Sequence, residues 1–365
     1  MIKLSRQLLS LLFFLTVVVA AQAQYTETKE FQKRFAVEPE TAIEISNKYG
    51  KVELVTWDKD SVLFDIRMKV EERKMNRLDR TLNNIDFDFT SSSHYLIART
   101  IVDKNKSQLE AEFQRFKETL LQADGTIEID YKVWVPASNS LKVENKFGDI
   151  YIDDYNGPIT IGLSNGKLKA HDLTNQATIK LNFADASINS MKKGRIFTNY
   201  SDFYLKKADD IRISSKSSEI EIIESKSLTI DSRRDKFRLR ESEQVEADAS
   251  FTSFRLNKLI DRGTFRFAYG DLELEQIAPD FSDLYIQSRT TDVSLFFSPE
   301  AKFNFELTES KVDVTLGREL KQTDKEVIDS KNSSNRIKGY FKQETDKKHK
   351  VQINATAGSI RIFSN

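Results

Sequence analysis

The fold is decided by a stretch that begins with Leu141-Lys-Val-Glu-Asn-Lys-Phe-Gly-Asp-Ile-Tyr-Ile152 and continues to Gly317. Its unit is an apolar-x-apolar pair, a small polar turn and a second apolar-x-apolar pair, repeated about ten times. The second pairs begin at Ile150, Leu168, Ala186, Phe203, Ile220, Phe237, Phe254, Leu272, Val293 and Val312. Successive starts lie 17 or 18 residues apart, except that the last two intervals are 21 and 19 residues. So short and regular a period is typical of a solenoid, in which each repeat stacks on its neighbours.

Within each unit, apolar and polar residues alternate, as in Ile211-Arg-Ile213 and Ile220-Glu-Ile222. A period of two indicates strands with one face inward and one face outward. Because every coil repeats the direction of the previous one, the strands of neighbouring coils are expected to be parallel. The sequence therefore predicts an all-β fold, a parallel β-solenoid of about ten 17–18-residue coils. Stacking at about 4.8 Å per coil would give a rod of roughly 50 Å, and the pattern alone does not determine its handedness.

The corners between strands carry a motif of their own. An aromatic residue lies three positions before six of the second pairs, at Tyr49, Phe147, Phe183, Tyr200, Phe251 and Tyr269. A small residue follows it, and the next residue is often an aspartate, at Asp149, Asp185, Asp202 and Asp271. We expect the aromatic ring to turn inward and stack on its copy in the next coil. Phe183→Ala would then cost about 3–5 kcal/mol, as for a buried core aromatic.

The small residue is expected to permit the bend, and the aspartate to accept backbone N–H groups of the turn. A calcium ladder along the aspartates is the alternative interpretation. The glycine-rich nonapeptide of calcium-binding β-rolls is missing, however, so the sequence predicts no metal site.

Composition and the search for catalytic motifs argue against several functions. The 365 residues include 56 Lys and Arg and 56 Asp and Glu, so the chain lacks the basic excess of most nucleic-acid-binding proteins. It contains no cysteine, which excludes thiolate metal sites and thiol nucleophiles. The three histidines, His94, His171 and His349, lie far apart, and His171 beside Asp172 is expected to be a solvated corner residue. No catalytic, cofactor-binding or metal-binding residue is predicted, ligand-binding residues are unknown, and the protein is not expected to be an enzyme.

Residues 1–23 have the composition of a secretory signal peptide. Lys3 and Arg6 precede an apolar run from Leu8 to Ala20, and Ala21-Gln-Ala23 is a small-x-small cleavage site. Gln24 is then the first residue of the mature chain, and no second hydrophobic span follows. The sequence predicts export to the periplasm, the cell surface or the medium, with no transmembrane segment in the mature chain.

The remaining domain boundaries follow from where the repeat pattern is interrupted. Residues 24–140 are predicted to hold strands, including a first copy of the unit around Tyr49-Gly50, and a two-helix insertion. The helices are indicated by Met75, Leu78, Leu82 and Ile85, and by Leu109, Phe113, Phe116 and Leu120. We expect the insertion to cap or flank the solenoid, because a solenoid end exposes unpaired strand edges; partner docking is the alternative. Residues 141–320 are predicted to form the solenoid, and 321–365 a polar loop and a closing coil.

Outward-facing residues suggest how the surface is used. Glu221 with Arg238, and Arg255 with Glu273, are predicted to pair across neighbouring coils. A cationic strip that could meet an acidic glycan or a membrane surface is formed by Arg233, Arg234, Lys236, Arg238, Arg240 and Arg255. An ordinary solvated charged face is the alternative interpretation.

The repeated Asn-x-aromatic-Gly string, the Tyr49-Gly50 to Trp57-Asp58 segment and Val133-Trp-Val135-Pro136 resemble a bacterial family of exported β-solenoids known as putative adhesins. The family is largely a domain of unknown function, and the resemblance covers about residues 35–70 and 127–363. It implies a right-handed solenoid at the envelope or cell surface without established catalysis. The helical insertion departs from its simplest members, and no functional residue is carried over, because the motif residues are structural.

Three functions are compatible with the sequence. The first is a non-enzymatic exported β-solenoid of unknown ligand, an adhesin-like or envelope binding scaffold whose partner is a glycan or another envelope protein. The second is a carbohydrate-active β-helix enzyme, a lyase or glycosidase, which would need a groove with clustered carboxylates. The third is an envelope-stress or regulatory protein that docks a partner through the helical insertion. The oligomeric state does not follow from the sequence.

Overall fold

A computed structural model describes residues 24–102, 125–330, 333–342 and 349–364, which fall into two compact units. The described residues of the smaller unit are 24–30, 67–86, 101–102 and 125–128, and the larger unit comprises the rest. The predicted signal peptide and the second predicted helix lie outside the described residues. The strands and helix, in chain order, are β1 (Tyr25–Ala36), β2 (Ala42–Lys48), β3 (Val52–Trp57), β4 (Ser61–Glu72), α1 (Met75–Asn83), β5 (Ile85–Ser91), β6 (Tyr95–Val102), β7 (Gly125–Pro136), β8 (Leu141–Lys146), β9 (Ile150–Ile152), β10 (Ile159–Ser164), β11 (Lys167–Asn182), β12 (Asp185–Asn199), β13 (Asp202–Lys216), β14 (Glu219–Arg233), β15 (Lys236–Ile277), β16 (Asp283–Phe297), β17 (Phe303–Leu316), β18 (Leu320–Asp329), β19 (Ser334–Phe341) and β20 (Lys350–Ser364).

In the larger unit, equivalent residues of successive repeats stack in parallel register. One inward column consists of Ile161, Ile179, Ile196, Ile213 and Ile230, each paired with the next and all buried. Burying such a side chain contributes about 1.5–3 kcal/mol, so the repeated isoleucines supply much of the core. The sheet is mostly parallel and is not closed into a barrel, and the prediction of an all-β solenoid is confirmed.

The second apolar pairs of the repeat also stack as predicted. Ile150, Leu168, Ala186, Phe203 and Ile220 are neighbours in register on successive coils. The exception is the last predicted start. Val314, not Val312, pairs with Ile360, so that prediction was wrong by two residues.

Chain order and stacking order differ near the start of the repeat. The unit formed by β2 and β3 stacks on β8 and β9, with Ile43 opposite Leu141 and Val52 opposite Ile150. On their other edges, β2 pairs with β6 and β3 pairs with β7, although both partners come later in the chain. The first copy of the unit is therefore an interior coil.

The C-terminal coil is also interior. Ile353 of β20 pairs with Ile286 of β16 on one side and with Leu307 of β17 on the other. The prediction that this coil closes the array was wrong, because β17 lies beyond it. The other edge of β17 pairs with β19 in antiparallel register, and β19 pairs with β18.

The predicted polar loop at 321–335 is instead largely strand. β18 has almost every side chain exposed, and it forms because β19 pairs with its backbone rather than because it has an apolar face. Strand prediction from alternation depends on a buried face, so an exposed polar edge strand gives no such signal. The antiparallel hairpin β18–β19 covers the open edge of β17.

In the smaller unit, α1 confirms the first predicted helix over part of its length. Leu78 and Leu82 are buried as the spacing predicts, whereas Met75 is half-exposed and Ile85 begins β5 instead. Among the described residues, no helix is long and apolar enough to cross a membrane.

The corner aromatics differ from the prediction. Each adopts a left-handed conformation, with φ between 50° and 65°, and this positive φ recurs at the equivalent residue of nearly every coil. The rings stack in pairs as predicted, with centroids 5.6 Å apart for Tyr49–Phe147, 5.1 Å for Phe183–Tyr200 and 4.9 Å for Phe251–Tyr269. They point outward, however, and Phe183 is 59% exposed. The prediction that these rings turn inward was wrong.

The small residue after the aromatic lies close against the neighbouring coil. A Cβ on Gly148 would lie 1.9 Å from the carbonyl oxygen of Gly50, so the close approach of two backbones excludes a side chain there. At other corners, a polar side chain in this position accepts a hydrogen bond from the backbone of the neighbouring coil. Ser201 N–H donates to Ser218 Oγ at 3.2 Å, and Ser218 N–H donates to Asp235 Oδ1 at 2.8 Å. The residue after the corner is therefore small, or forms a hydrogen bond to the next coil, because of how neighbouring coils pack.

Candidate functional site

The larger unit contains a groove of about 600 Å³ on one face of the sheet, immediately before the left-handed corners. Its outward-facing rim, three positions before the corner residue in each coil, is formed by Asp231, Asp248, Arg266, Gln287, Asn354 and Thr308. The pairs Asp231–Asp248, Arg266–Gln287, Gln287–Asn354 and Asn354–Thr308 are in register on neighbouring strands. The groove therefore follows the stacking direction, with a new polar side chain about every 4.8 Å.

The buried positions next to this rim, such as Ala249, Ser288 and Ala355, are also among the residues that border the groove, and their side chains alternate with those of the rim and face inward. Glu309 is only 7% exposed, and its carboxylate accepts a hydrogen bond of 2.5 Å from Asn335 Nδ2. Ser288 is 3% exposed, and its hydroxyl oxygen has no hydrogen-bond partner within the described part of the chain.

Two arginines line the groove in different electrostatic settings. Arg266 Nη1 lies 2.9 Å from Glu246 Oε1 and 3.5 Å from Asp248 Oδ2, and the hydrogen bond that Arg266 donates to Glu246 raises the pKa of this guanidinium. The guanidinium of Arg289 lies over the ring of Tyr269, 5.4 Å from its centroid. In residues 24–102, 125–330, 333–342 and 349–364 it has no carboxylate partner. Within the described part of the chain, Arg289 is therefore a cation without an ion-pair partner, held against an aromatic ring at the edge of the groove.

The predicted cationic strip is partly neutralised. The predicted ion pair Arg255–Glu273 is present at 2.6 Å, and Glu275 lies 3.3 Å from Arg255. Glu221 and Arg238 are neighbours in register, as predicted, but Arg238 pairs with Glu219 instead. The strip is thus interrupted by carboxylates rather than presenting an unbroken positive surface.

His171 lies exposed at a corner with Asp154 and Asp172, and one ligand atom from each lies within 4.8 Å of the others. The hydrogen bond to Asp154 and the charge of Asp172 raise the pKa of His171. Asp172 is held by Ser190 Oγ at 2.7 Å and Asn189 Nδ2 at 2.6 Å, and these bonds lower its pKa. When His171 is protonated, this cluster is an ion-pair bridge between two coils.

The asparagines of the repeated string have structural partners. Asn145 Nδ2 donates to the carbonyl oxygen of Gly50 at 2.8 Å, and Asn47 Nδ2 donates to that of Ile129 at 2.8 Å. Asp149 Oδ1 accepts the N–H of Lys167 at 2.8 Å, which is the role predicted for the corner aspartates. The motif therefore builds corners and contributes no group to the groove.

Sequence reasoning did not single out Gln287, Ser288, Arg289 or Asn354. The first three belong to β16, and Asn354 belongs to β20, which reaches the groove only because the C-terminal coil is inserted next to β16. Aligning all repeats on the residue three positions before the corner would have gathered this column. The insertion that brings Asn354 beside Gln287 could not be found in this way.

Comparison with known proteins gives little further information. No protein-family model matches the chain. No curated protein matches it either. Among solved structures, the chain is similar to a putative cell adhesion protein from Clostridium sporogenes ATCC 15579, with a TM-score of 0.21 and 10% sequence identity, over 93% of this chain and 100% of that one. A likeness at this level assigns no function.

Proposed function

We propose that the chain is an exported, non-enzymatic β-solenoid with an adhesin-like binding role at the cell envelope or surface, and that the groove holds its ligand, a glycan chain. The observation that carries this proposal is the groove of about 600 Å³ that follows successive strands with an outward polar column. Amide, hydroxyl and charged side chains repeated along one direction suit an extended ligand with many hydroxyl groups, because each repeat can offer hydrogen bonds to a new part of it. The predicted signal peptide supports export.

A carbohydrate-active enzyme is the second candidate function, because Asp231 and Asp248 are in register on neighbouring strands of the groove. Carboxyl groups about 5–5.5 Å apart serve as the catalytic pair of retaining glycosidases. Both aspartates are exposed, however, and Asp248 lies 3.5 Å from Arg266. Exposed carboxylates, one of them ion-paired, are also the ordinary composition of a solvated protein surface, so this pair by itself does not favour an enzyme. Release of reducing ends from a bound glycan that is lost in Asp231→Asn would favour the enzyme instead.

The regulatory alternative stays a prediction. It depends on the helical insertion, and residues 103–124 of that insertion lie outside the described part of the chain.

A glycan array tests the proposed function. The chain starting at Gln24 is compared with the double variant Gln287→Ala/Asn354→Ala, and with Lys169→Ala as a matched control on an exposed position of β11. Loss of two hydrogen bonds of about 1 kcal/mol each predicts roughly 10-fold or greater weakening for the double variant. The control should bind like the wild type. If no glycan binds, or if the double variant binds as tightly as the wild type, the groove is not the ligand site.

A further inference from the structure

We propose that the glycan is acidic, and that Arg289 binds its carboxylate groups. This inference rests on the proposed function, since it names the chemical class of the ligand that the groove holds. The class is a polysaccharide that contains uronic acids.

The first support is the state of Arg289. A guanidinium presents planar donors that match a carboxylate in two-point hydrogen bonding. Arg266, also in the groove, already uses its charge on Glu246 and Asp248. Arg289 has no carboxylate partner among the described residues and lies over Tyr269, a cation–π contact that restricts its orientation but does not neutralise its charge. Its donors are therefore available to an anionic group of a ligand.

The second support is the set of polar groups beside Arg289. Gln287 and Asn354 form a row of two amides on adjacent strands, and Gln287 lies two residues before Arg289 on the same outward face of β16. A sugar ring offers both donors and acceptors, so its hydroxyl groups can bond these amides while its carboxylate meets Arg289.

The position of the groove favours a glycan over an acidic peptide. Extended peptides bind mainly by adding a strand to an open sheet edge, where backbone groups are free. This groove lies on a sheet face, where β16 is paired on both edges, by β15 and β20. Side chains are then the main source of hydrogen bonds, and a polyhydroxylated ligand can use them throughout its length.

The test compares two versions of one polymer. Oligomers of polygalacturonate and their carboxyl-reduced counterparts are titrated calorimetrically against the wild type, Arg289→Ala, Arg289→Lys and Arg212→Ala. Arg212 is an exposed arginine of β13 outside the groove lining and serves as the control. Thermal unfolding checks that each variant is folded.

The wild type should bind the acidic oligomer at least about 10-fold more tightly than the reduced one, a difference that weakens with salt. Arg289→Ala should remove this difference, Arg289→Lys should keep part of it, and Arg212→Ala should leave it unchanged.

Equal binding of both oligomers by the wild type would overturn the acidic assignment and leave the glycan proposal standing. Absence of binding to either oligomer would overturn the acidic assignment, and absence of binding to every glycan on the array would overturn both proposals. Binding of polyglutamate as tight as that of polygalacturonate would show that charge alone is recognised.

Discussion

At the scale of single residues, Phe183 shows how a corner aromatic contributes to stability. Its ring is 59% exposed and stacks on Tyr200 at 5.1 Å, with the two planes 3° apart. Phe183→Ala should therefore cost about 0.5–1.5 kcal/mol, the range of one aromatic pair. The buried Ile196→Ala is the control and should cost about 2–5 kcal/mol. Urea unfolding of both variants measures the two costs, and equal destabilisation would contradict the exposed position of the ring.

The sequence located this aromatic column but assigned it to the wrong face. Alternation predicts the side of a residue only while the backbone stays extended. At Phe183 the chain adopts a φ of 51°, which reverses the expected direction of the side chain. Bulky residues seldom occupy the left-handed region, and for that reason the small residue after the aromatic was expected to make the bend.

Asp235 predicts a pH dependence of stability. It is 5% exposed in the column of small residues, and burial raises its pKa despite bonds from Ser232 Oγ and the N–H groups of Ser218 and Arg233. A raised pKa means that the folded state binds the proton more tightly than the unfolded state. Its contribution to stability is therefore greatest in acid and is lost as the pH rises from 3.8 through the folded-state pKa.

The test of this prediction is Asp235→Ser, which places the residue type of Ser201 and Ser218 at position 235. The difference in melting temperature, variant minus wild type, should increase as the pH rises from about 3.5 to 7. Asp231→Ser, at an exposed neighbour, is the control and should not reproduce this trend. A difference that stays constant across the pH range would show that Asp235 does not titrate with folding.

At the scale of elements, the hairpin β18–β19 covers the edge of β17 and makes β18 the edge strand. β18 pairs with β19, and its central residues Asp324, Lys325 and Glu326 are exposed. Charged side chains on an edge strand oppose pairing with another molecule. The sequence predicted a loop here because composition reports polarity but not backbone pairing.

Replacing Asp324, Lys325 and Glu326 with threonine should cause the protein to self-associate through this edge. Val327 and Ile328 are already 62% and 45% exposed, so the new strand would combine β-branched residues with a backbone edge that pairs with none of the described strands. Light scattering after gel filtration should show association that increases with protein concentration. The same triple change on the exposed face of β14, which is paired on both edges, serves as the control. A triple variant that behaves like this control would show that charge does not protect the edge.

At the scale of the whole molecule, local pattern and stacking order have different origins. The isoleucine column from Ile161 to Ile230 is predictable, because each residue lies 17 or 18 positions from the last and every neighbour in the chain is a neighbour in the stack. The placement of β20 between β16 and β17 is not. The repeat pattern shows that a segment can form a coil. Because every coil presents similar strand edges, the pattern does not determine between which two coils that segment inserts. The groove depends on that placement, and its composition was unpredictable for the same reason.

The interior position of β20 leads to a prediction about cooperativity. Ile353 is 1% exposed and pairs with both Ile286 and Leu307. Ile353→Asp would bury a charge in this coil and should separate β17 from β16. In a solenoid each coil depends mainly on its neighbours, so hydrogen exchange should accelerate in β16, β17 and β19 while β10 to β13 stay protected. The exposed Val327→Asp is the matched control and should leave exchange in β16 unchanged. Loss of protection in all coils together would mean that the larger unit folds as one cooperative block, and loss in none would mean that β20 does not hold its two neighbours together.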